Sequence, residues 1–229
     1  MSRARKSRRS GGSSAGPSRK VDYRRLKNPF PLMRAFSDDH IAAMHEAALG
    51  VLEDLGVKVL LPEARQLYRA AGARVDEATE MVFIGREVVE AALESAPSVI
   101  EAKGGTPDRD ITLELGSLVF QPGAGAPHAT DCIKGRRPGT LSDFRDLARL
   151  TQHFDVFQMV PPLVEPQDVD PALRHYTTTD VQLTLSDKVP FVFSRGTPQV
   201  TECFEMIRDF KGLSDDEFAS VSHCYTIIN

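Results

Sequence analysis

Three apolar stretches decide the fold: VFQMVPP at Val156–Pro162, VPFVFS at Val189–Ser194 and VSHCYTII at Val221–Ile228. Each is short and rich in β-branched or aromatic residues, which is the pattern of a buried strand. They start about thirty residues apart, the length of a βαβ unit with a right-handed crossover. Helices fill the intervals. Thr140-Leu-Ser-Asp143 has the form of a capping box and opens a helix to about His153. Asp170-Pro171 opens the next, to about Ser186, and Thr197-Pro198 a third with Val200, Cys203, Ile207 and Phe210 inward. Regular alternation of this kind belongs in a doubly wound sheet or a (β/α)8 barrel. Three units are too few for a barrel of eight. The expectation is therefore a chain that holds only the first part of a barrel, with a small complete three-stranded sheet as the alternative.

Upstream the pattern is different. Ile41, Met44, Ala48, Leu52 and Leu55 recur every three or four residues, with Ser37 as N-cap, Asp38 and Asp39 in the first turn and Gly56 at the stop. A second helix starts at Pro62, with Ala64, Leu67, Tyr68 and Ala71 on its apolar face and Gly72 at its end. Met81–Ile84 reads as a strand and Arg86–Ala96 as a helix closed by Pro97. Ile111, Leu113 and Leu115 alternate with polar residues, and Gly116-Ser117 predicts a hairpin turn back through Leu118–Gln121. The organisation expected is a disordered basic tail over 1–28, an α+β region over 29–138 and βα units over 139–229.

The net charge of −4 conceals an asymmetry: residues 1–27 hold ten Lys/Arg against Asp22 alone, a balance of +9, leaving −13 for the rest. An acidic body repels phosphate backbones, which argues against nucleic acid as its partner. The tail, RARKSRR followed by GGSSAGPS, has no apolar surface to bury. It lacks the apolar segment of a secretory signal. An electrostatic contact with an acidic partner, a membrane or nucleic acid is one use for it, and a solvated tail is the plainer one. No run approaches the ~18 apolar residues of a membrane span, so a soluble protein is expected. Cys132, Cys203 and Cys224 are odd in number, widely spaced and outside any CxxC. That predicts reduced, mostly buried thiols in a cytoplasmic protein rather than a zinc or redox motif.

Other motifs are excluded by spacing. Gly123, Gly125 and His128 form GxGxxH, which follows a predicted hairpin instead of opening a helix, so dinucleotide binding is poorly supported. His40 and His45 are five apart, off the i, i+4 spacing of a helical zinc pair. Neither GxSxG nor a P-loop occurs.

Three segments carry a family resemblance: ARVDEATEMVFIGREVVEAALESAP within Val57–Pro97, QPGAGAPHATDCIKGRRPGTLSDFRDLARL at Gln121–Leu150, and PPLVEPQDVDPALRH at Pro161–His175, followed by SDKVPFVFS and HCYTIIN. Together they resemble the trimethylamine methyltransferase family, including members that demethylate betaines. RRPGTLSDF and VEPQDV, in that order, are the most specific. The similarity runs from about Pro29 to Asn229. It implies a partial (β/α)8 TIM barrel preceded by the α+β region. It also implies transfer of a methyl group from a methylamine or quaternary amine, of trimethylamine or betaine type, to the Co(I) corrinoid (cobalamin) of a cognate corrinoid protein. The corrinoid is expected on the partner and not on this chain, which is expected to bind no metal; a homo-oligomer is compatible with the resemblance. The alternative is a non-catalytic truncated product or an interaction module. The chain alone is expected to be inactive, because much of the barrel mouth would be missing.

Methyl transfer from an ammonium to a metal nucleophile needs little acid–base work. The site must hold a cation, align it and exclude water, and cations favour aromatic faces and carboxylates. Barrel sites lie at the C-terminal ends of strands, here near Pro161–Glu165, Ser194-Arg195 and Asn229. Glu165 is the candidate for neutralising a cationic substrate; the alternative is an exposed loop acid or a helix-start charge near Asp168. Arg195 could hold a substrate carboxylate such as that of a betaine, or form a structural salt bridge. Asn229 would face the mouth, or serve as a structural amide. His128, with Asp131, could line the mouth from the Gly-rich stretch, or only shape that loop.

Overall fold

The computed structural model describes residues 26–31 and 33–227. The basic tail reading of 1–28 and the site candidate Asn229 therefore fall largely or wholly outside the described residues. The described chain mixes helices and strands and divides into two compact units, 26–102 with 111–118, and 103–110 with 119–227.

In the smaller unit, β1 (Leu26–Lys27) is followed by α1 (Asp38–Gly50), which continues into a π-helical turn, Val51–Leu55. Ser37 caps α1 by accepting from the His40 N–H at 3.3 Å, and Gly56 ends the helical run. Then come β2 (Val57–Lys58), α2 (Pro62–Ala70), β3 (Arg74–Asp76), β4 (Met81–Phe83) and α3 (Arg86–Ser95). The strands form an antiparallel sheet in the order β2–β4–β3, with Val82 at its centre fully buried. Arg65 is 7% exposed and donates to Glu77 and to the carbonyls of Val59 and Leu60 at 2.7–3.0 Å. A buried cation is tolerated here because Nε meets a carboxylate and Nη1 two carbonyls.

Two expectations change in this unit. The stripe Ile41, Met44 and Leu55 is not turned inward but stands 49–67% exposed, and Leu49 is the buried residue of α1. Arg86 reaches the same helical run by two exposed ion pairs, to Glu46 at 2.6 Å and Glu53 at 3.1 Å. The expected 111–121 hairpin also does not form. Ser117 N–H does donate back to the Glu114 carbonyl at 3.0 Å, but the flanking residues pair elsewhere. β6 (Ile111–Leu113) pairs antiparallel with β5 (Ile100–Ala102), and β7 (Ser117–Leu118) with β1. The β5–β6 pairing sets buried Ile111 against buried Ala102. Burial of that pair outweighs a hairpin whose return strand begins with the partly exposed Leu118.

In the larger unit a hairpin, β8 (His128–Asp131) and β9 (Gly135–Pro138), precedes α4 (Leu141–His153). β10 (Met159–Val160), α5 (Arg174–Leu185), β11 (Val189–Pro190), α6 (Thr197–Lys211) and α7 (Asp215–Ser220) follow. The Thr140–Asp143 capping box is present in both directions. α5 begins four residues later than expected, because Asp170 accepts from the N–H groups of Ala172 and Leu173 and closes a turn first. β10 and β11 are parallel, Met159 facing Val189. The third expected strand does not form as a continuous strand; Tyr225 makes a parallel bridge to Phe191, and α7 ends just before the segment. On the other edge, Ala126 bridges Val164 in parallel. α4 packs on α5 and α5 on α6. Phe144, Ala148, Val164 and Val181 form one buried cluster, and Val192, Cys203 and Ile207 another.

Candidate functional site

Strand alternation sets up the site. Val192 points to α6, packing with Cys203 and Ile207, and Cys224 joins that cluster. By the two-residue period, Phe191, Phe193 and Tyr225 occupy the opposite side. Their rings meet edge to face: Phe191–Phe193 at 4.8 Å and Phe191–Tyr225 at 5.1 Å between centroids. The Tyr225 hydroxyl donates to the Gln121 side-chain oxygen, and burial pushes its pKa up. The phenol is therefore a fixed neutral donor, not a base.

Just past these strands, Glu165 and Arg195 form an ion pair. Thirty residues apart in sequence, they are brought together because their strands are parallel neighbours and both lie beyond the C-terminal ends. Glu165 is fixed by its own N–H, which donates to the Ala126 carbonyl at 2.8 Å, and its side chain is only 15% exposed. Arg174, at the start of α5, places Nη1 3.9 Å from the same carboxylate while Nε donates to the Val169 carbonyl at 2.9 Å. The Arg195 guanidinium also lies over the Phe193 ring, 4.3 Å from its centroid, a cation–π contact. Behind the aromatic residues is an apolar cavity of about 240 Å³ lined by Val192, Ser194, Val200, Phe204, Cys224 and Tyr225. The Cys224 thiol is pushed up to about 11 by burial and stays protonated.

The structure thus joins two of the four residues named from sequence. His128, exposed on β8, instead sets Nδ1 3.3 Å from Arg136 Nη2. Its neighbour Asp131 organises the hairpin turn, accepting from the N–H groups of Lys134 and Ile133, which hold its carboxyl at about 2, with Arg137 adding to them. Asn229 lies outside the described residues. Sequence reasoning missed Arg174, Phe193, Tyr225 and Gln121. The alternation of Phe191, Val192 and Phe193 carried a signal for Phe193; nothing in the sequence marked Gln121. Among the described residues no group of three or more His, Cys, Asp or Glu could hold a metal ion. No described helix is long and apolar enough to cross a membrane.

A sequence model of the family described as trimethylamine methyltransferase (MTTB) matches residues 1–229. The chain belongs to the trimethylamine methyltransferase family. Within it, the chain is 30% identical over 186 residues to the trimethylamine methyltransferase MttB of Desulfitobacterium hafniense strain DSM 10664 / DCB-2, covering 80% of this chain and 37% of that protein. It is 26% identical over 177 residues to the glycine betaine methyltransferase of D. hafniense strain Y51, covering 77% and 36%. With the trimethylamine methyltransferase MttB of Methanosarcina barkeri strain Fusaro it shares 42% identity over 66 residues, 29% of this chain and 13% of the relative. The chain thus spans just over a third of the length of the first two family members.

Proposed function

We propose that this chain contributes the first βα units of a (β/α)8 barrel that moves a methyl group from a methylamine or betaine to the Co(I) corrinoid of a partner protein. Support for the barrel comes from the order of parts. The parallel strands are neighbours in chain order, and the helices between them pack successively on one another. A doubly wound sheet reverses strand order at its switch point, whereas a barrel never does.

The observation that carries the functional reading is the meeting of Glu165, Arg195 and Phe193 past the strand ends. A carboxylate beside an aromatic face is the pair of groups that a methylated ammonium requires. The low exposure of Glu165 removes competing water and strengthens its field. Arg195 supplies a partner for a substrate carboxylate where there is one, and Arg174 keeps Glu165 oriented. Tyr225, locked to Gln121, stiffens the aromatic wall. When bound, the partner's corrinoid supplies the metal nucleophile, and the leaving group is a neutral amine. The chain's residues hold the cation in line and dry, and no proton needs to be moved. Titration calorimetry tests this reading. Glycine betaine and trimethylamine should bind and unmethylated glycine should not, and Glu165→Gln should weaken both by about tenfold. Equal binding of glycine and glycine betaine would refute it.

An interaction role is the second reading, favoured by the half-exposed Ile41, Met44 and Leu55 stripe of the α1 segment. Light scattering on the wild type and on an Ile41→Glu/Met44→Glu variant tests it: a larger species lost in the variant supports an apolar interface, and a monomer in both removes it.

A further inference from the structure

The Arg195 guanidinium sits where a substrate ammonium would. It is paired with the Glu165 carboxylate and laid on the Phe193 ring 4.3 Å from the centroid. These are the two groups on which the reading above relies for substrate, and one side chain already uses both. We propose that Arg195 is a built-in competitor for the ammonium subsite, and that a methylated ammonium binds by displacing it. This rests on the assignment of Glu165 and Phe193 as that subsite.

The local structure allows the exchange. Arg195 is 48% exposed, so its guanidinium moves into water at little desolvation cost. Gly196, which follows it, has φ +113° with open space where a Cβ would stand and forms the N-cap of α6. That is a conformation side-chain-bearing residues rarely adopt, so the joint beside Arg195 has no side chain to hinder it. Glu165, in contrast, does not move with Arg195. It is held by its N–H to the Ala126 carbonyl, and Arg174 lies 3.9 Å from its carboxylate, so the acceptor keeps its place and a cationic neighbour when Arg195 leaves. The exchange replaces one cation by another and leaves no carboxylate unpaired, which avoids the cost of stripping a partner from a half-buried charge. Its consequence is selectivity. A weakly hydrated quaternary ammonium with an apolar methyl shell suits the Phe193 face, whereas a strongly hydrated ammonium such as that of glycine competes poorly with a resident guanidinium. A substrate with its own carboxylate gains once more, because the displaced Arg195 is within reach of it.

Tetramethylammonium is the probe, because it has no carboxylate for Arg195 to bind and so isolates the competition. Its Kd is measured by calorimetry on the full chain as wild type, Arg195→Gln, Arg195→Lys and Glu165→Gln, with thermal melting to confirm folding. Arg195→Gln should bind the probe about two- to fivefold tighter than wild type, the range expected for removing one half-exposed ion pair. Arg195→Lys, which keeps the charge but loses the flat stack, should fall between them, and it decides the matter if the glutamine variant does not fold. Glu165→Gln should bind weakly or not at all. Unchanged or weaker binding in Arg195→Gln, with Glu165→Gln still damaging, would overturn the competitor and leave the subsite standing. Binding that ignores Glu165→Gln, or no binding in any variant, would remove the subsite and the competitor with it.

Discussion

Gly139 is the buried residue between β9 and α4, and adding one methyl group there tests how the site is supported. A Cβ at this position would lie 2.1 Å from Val164 Cγ2 and 3.4 Å from Val164 Cβ. No flexible side-chain end is available to yield, because Val164 is 1% exposed and packed with Phe144, Ala148 and Val181. Backing the strand away is also opposed: Gly125 N–H donates to the Pro162 carbonyl at 2.9 Å and Glu165 N–H to the Ala126 carbonyl at 2.8 Å. Overpacking of this kind costs about 1–3 kcal/mol, and a value of ~2 lowers the folding constant by about thirtyfold. Val164→Ala alone removes two methyl-sized groups at ~0.8 kcal/mol each plus a cavity cost, for a total of ~2 kcal/mol. In the double variant the clashing Cγ2 is gone, so Gly139→Ala should add almost nothing to Val164→Ala. The expected coupling is ~2 kcal/mol, far above the few tenths seen for independent sites. Urea denaturation followed by far-UV circular dichroism measures all four corners of the cycle. A Gly139→Ala variant as stable as wild type, or two additive losses, would refute the reasoning. Since Val164 immediately precedes Glu165, the single Gly139→Ala variant should also weaken ligand binding.

Other expectations follow from the same structure. Thr140→Ala removes half of the α4 capping box and should cost ~1 kcal/mol in urea denaturation. Asp131 has a folded pKa of about 2, below its ordinary value, so its contribution is present above the ordinary carboxylate range and is lost as pH falls from about 4 through about 2. Carboxyl NMR should give a midpoint near that folded value, and Asp131→Asn should flatten the acid limb of a stability profile; a midpoint at the ordinary value would contradict it. Of the three thiols, exposed Cys132 should react rapidly with a disulfide reagent at about pH 8, half-buried Cys224, its thiol pushed up to about 11, should react slowly, and buried Cys203 should react only on unfolding.

Much of the helical framework was legible because helix ends are written locally. Ser37, Pro62 and Thr140 mark starts that the structure keeps, and the 3.6-residue period located the bodies between them. What the period could not say is which face finds a partner: Ile41 and Met44 satisfy an inward pattern yet stand half exposed, and Leu49 is the residue of α1 that is buried. Strand pairing was harder still. Gly116-Ser117 carries a sound turn signal, and the turn exists, but pairing partners are chosen by burial between distant residues such as Ala102 and Ile111. The β8–β9 hairpin has no apolar alternation to read; Asp131 and its backbone donors make its turn. At the site, Glu165 and Arg195 were visible as strand-end charges. Their contact with each other depends on parallel register, which no local pattern encodes.

The most direct test of the central claim is amide chemical-shift mapping of the chain during a titration with glycine betaine. The account predicts saturable shifts concentrated at Glu165, Phe193, Arg195 and Tyr225, with the α1–α3 unit silent. Shifts centred elsewhere, such as the apolar groove of Ala64, Leu67, Tyr68 and Val88 between α2 and α3, or no saturable shifts at all, would contradict it.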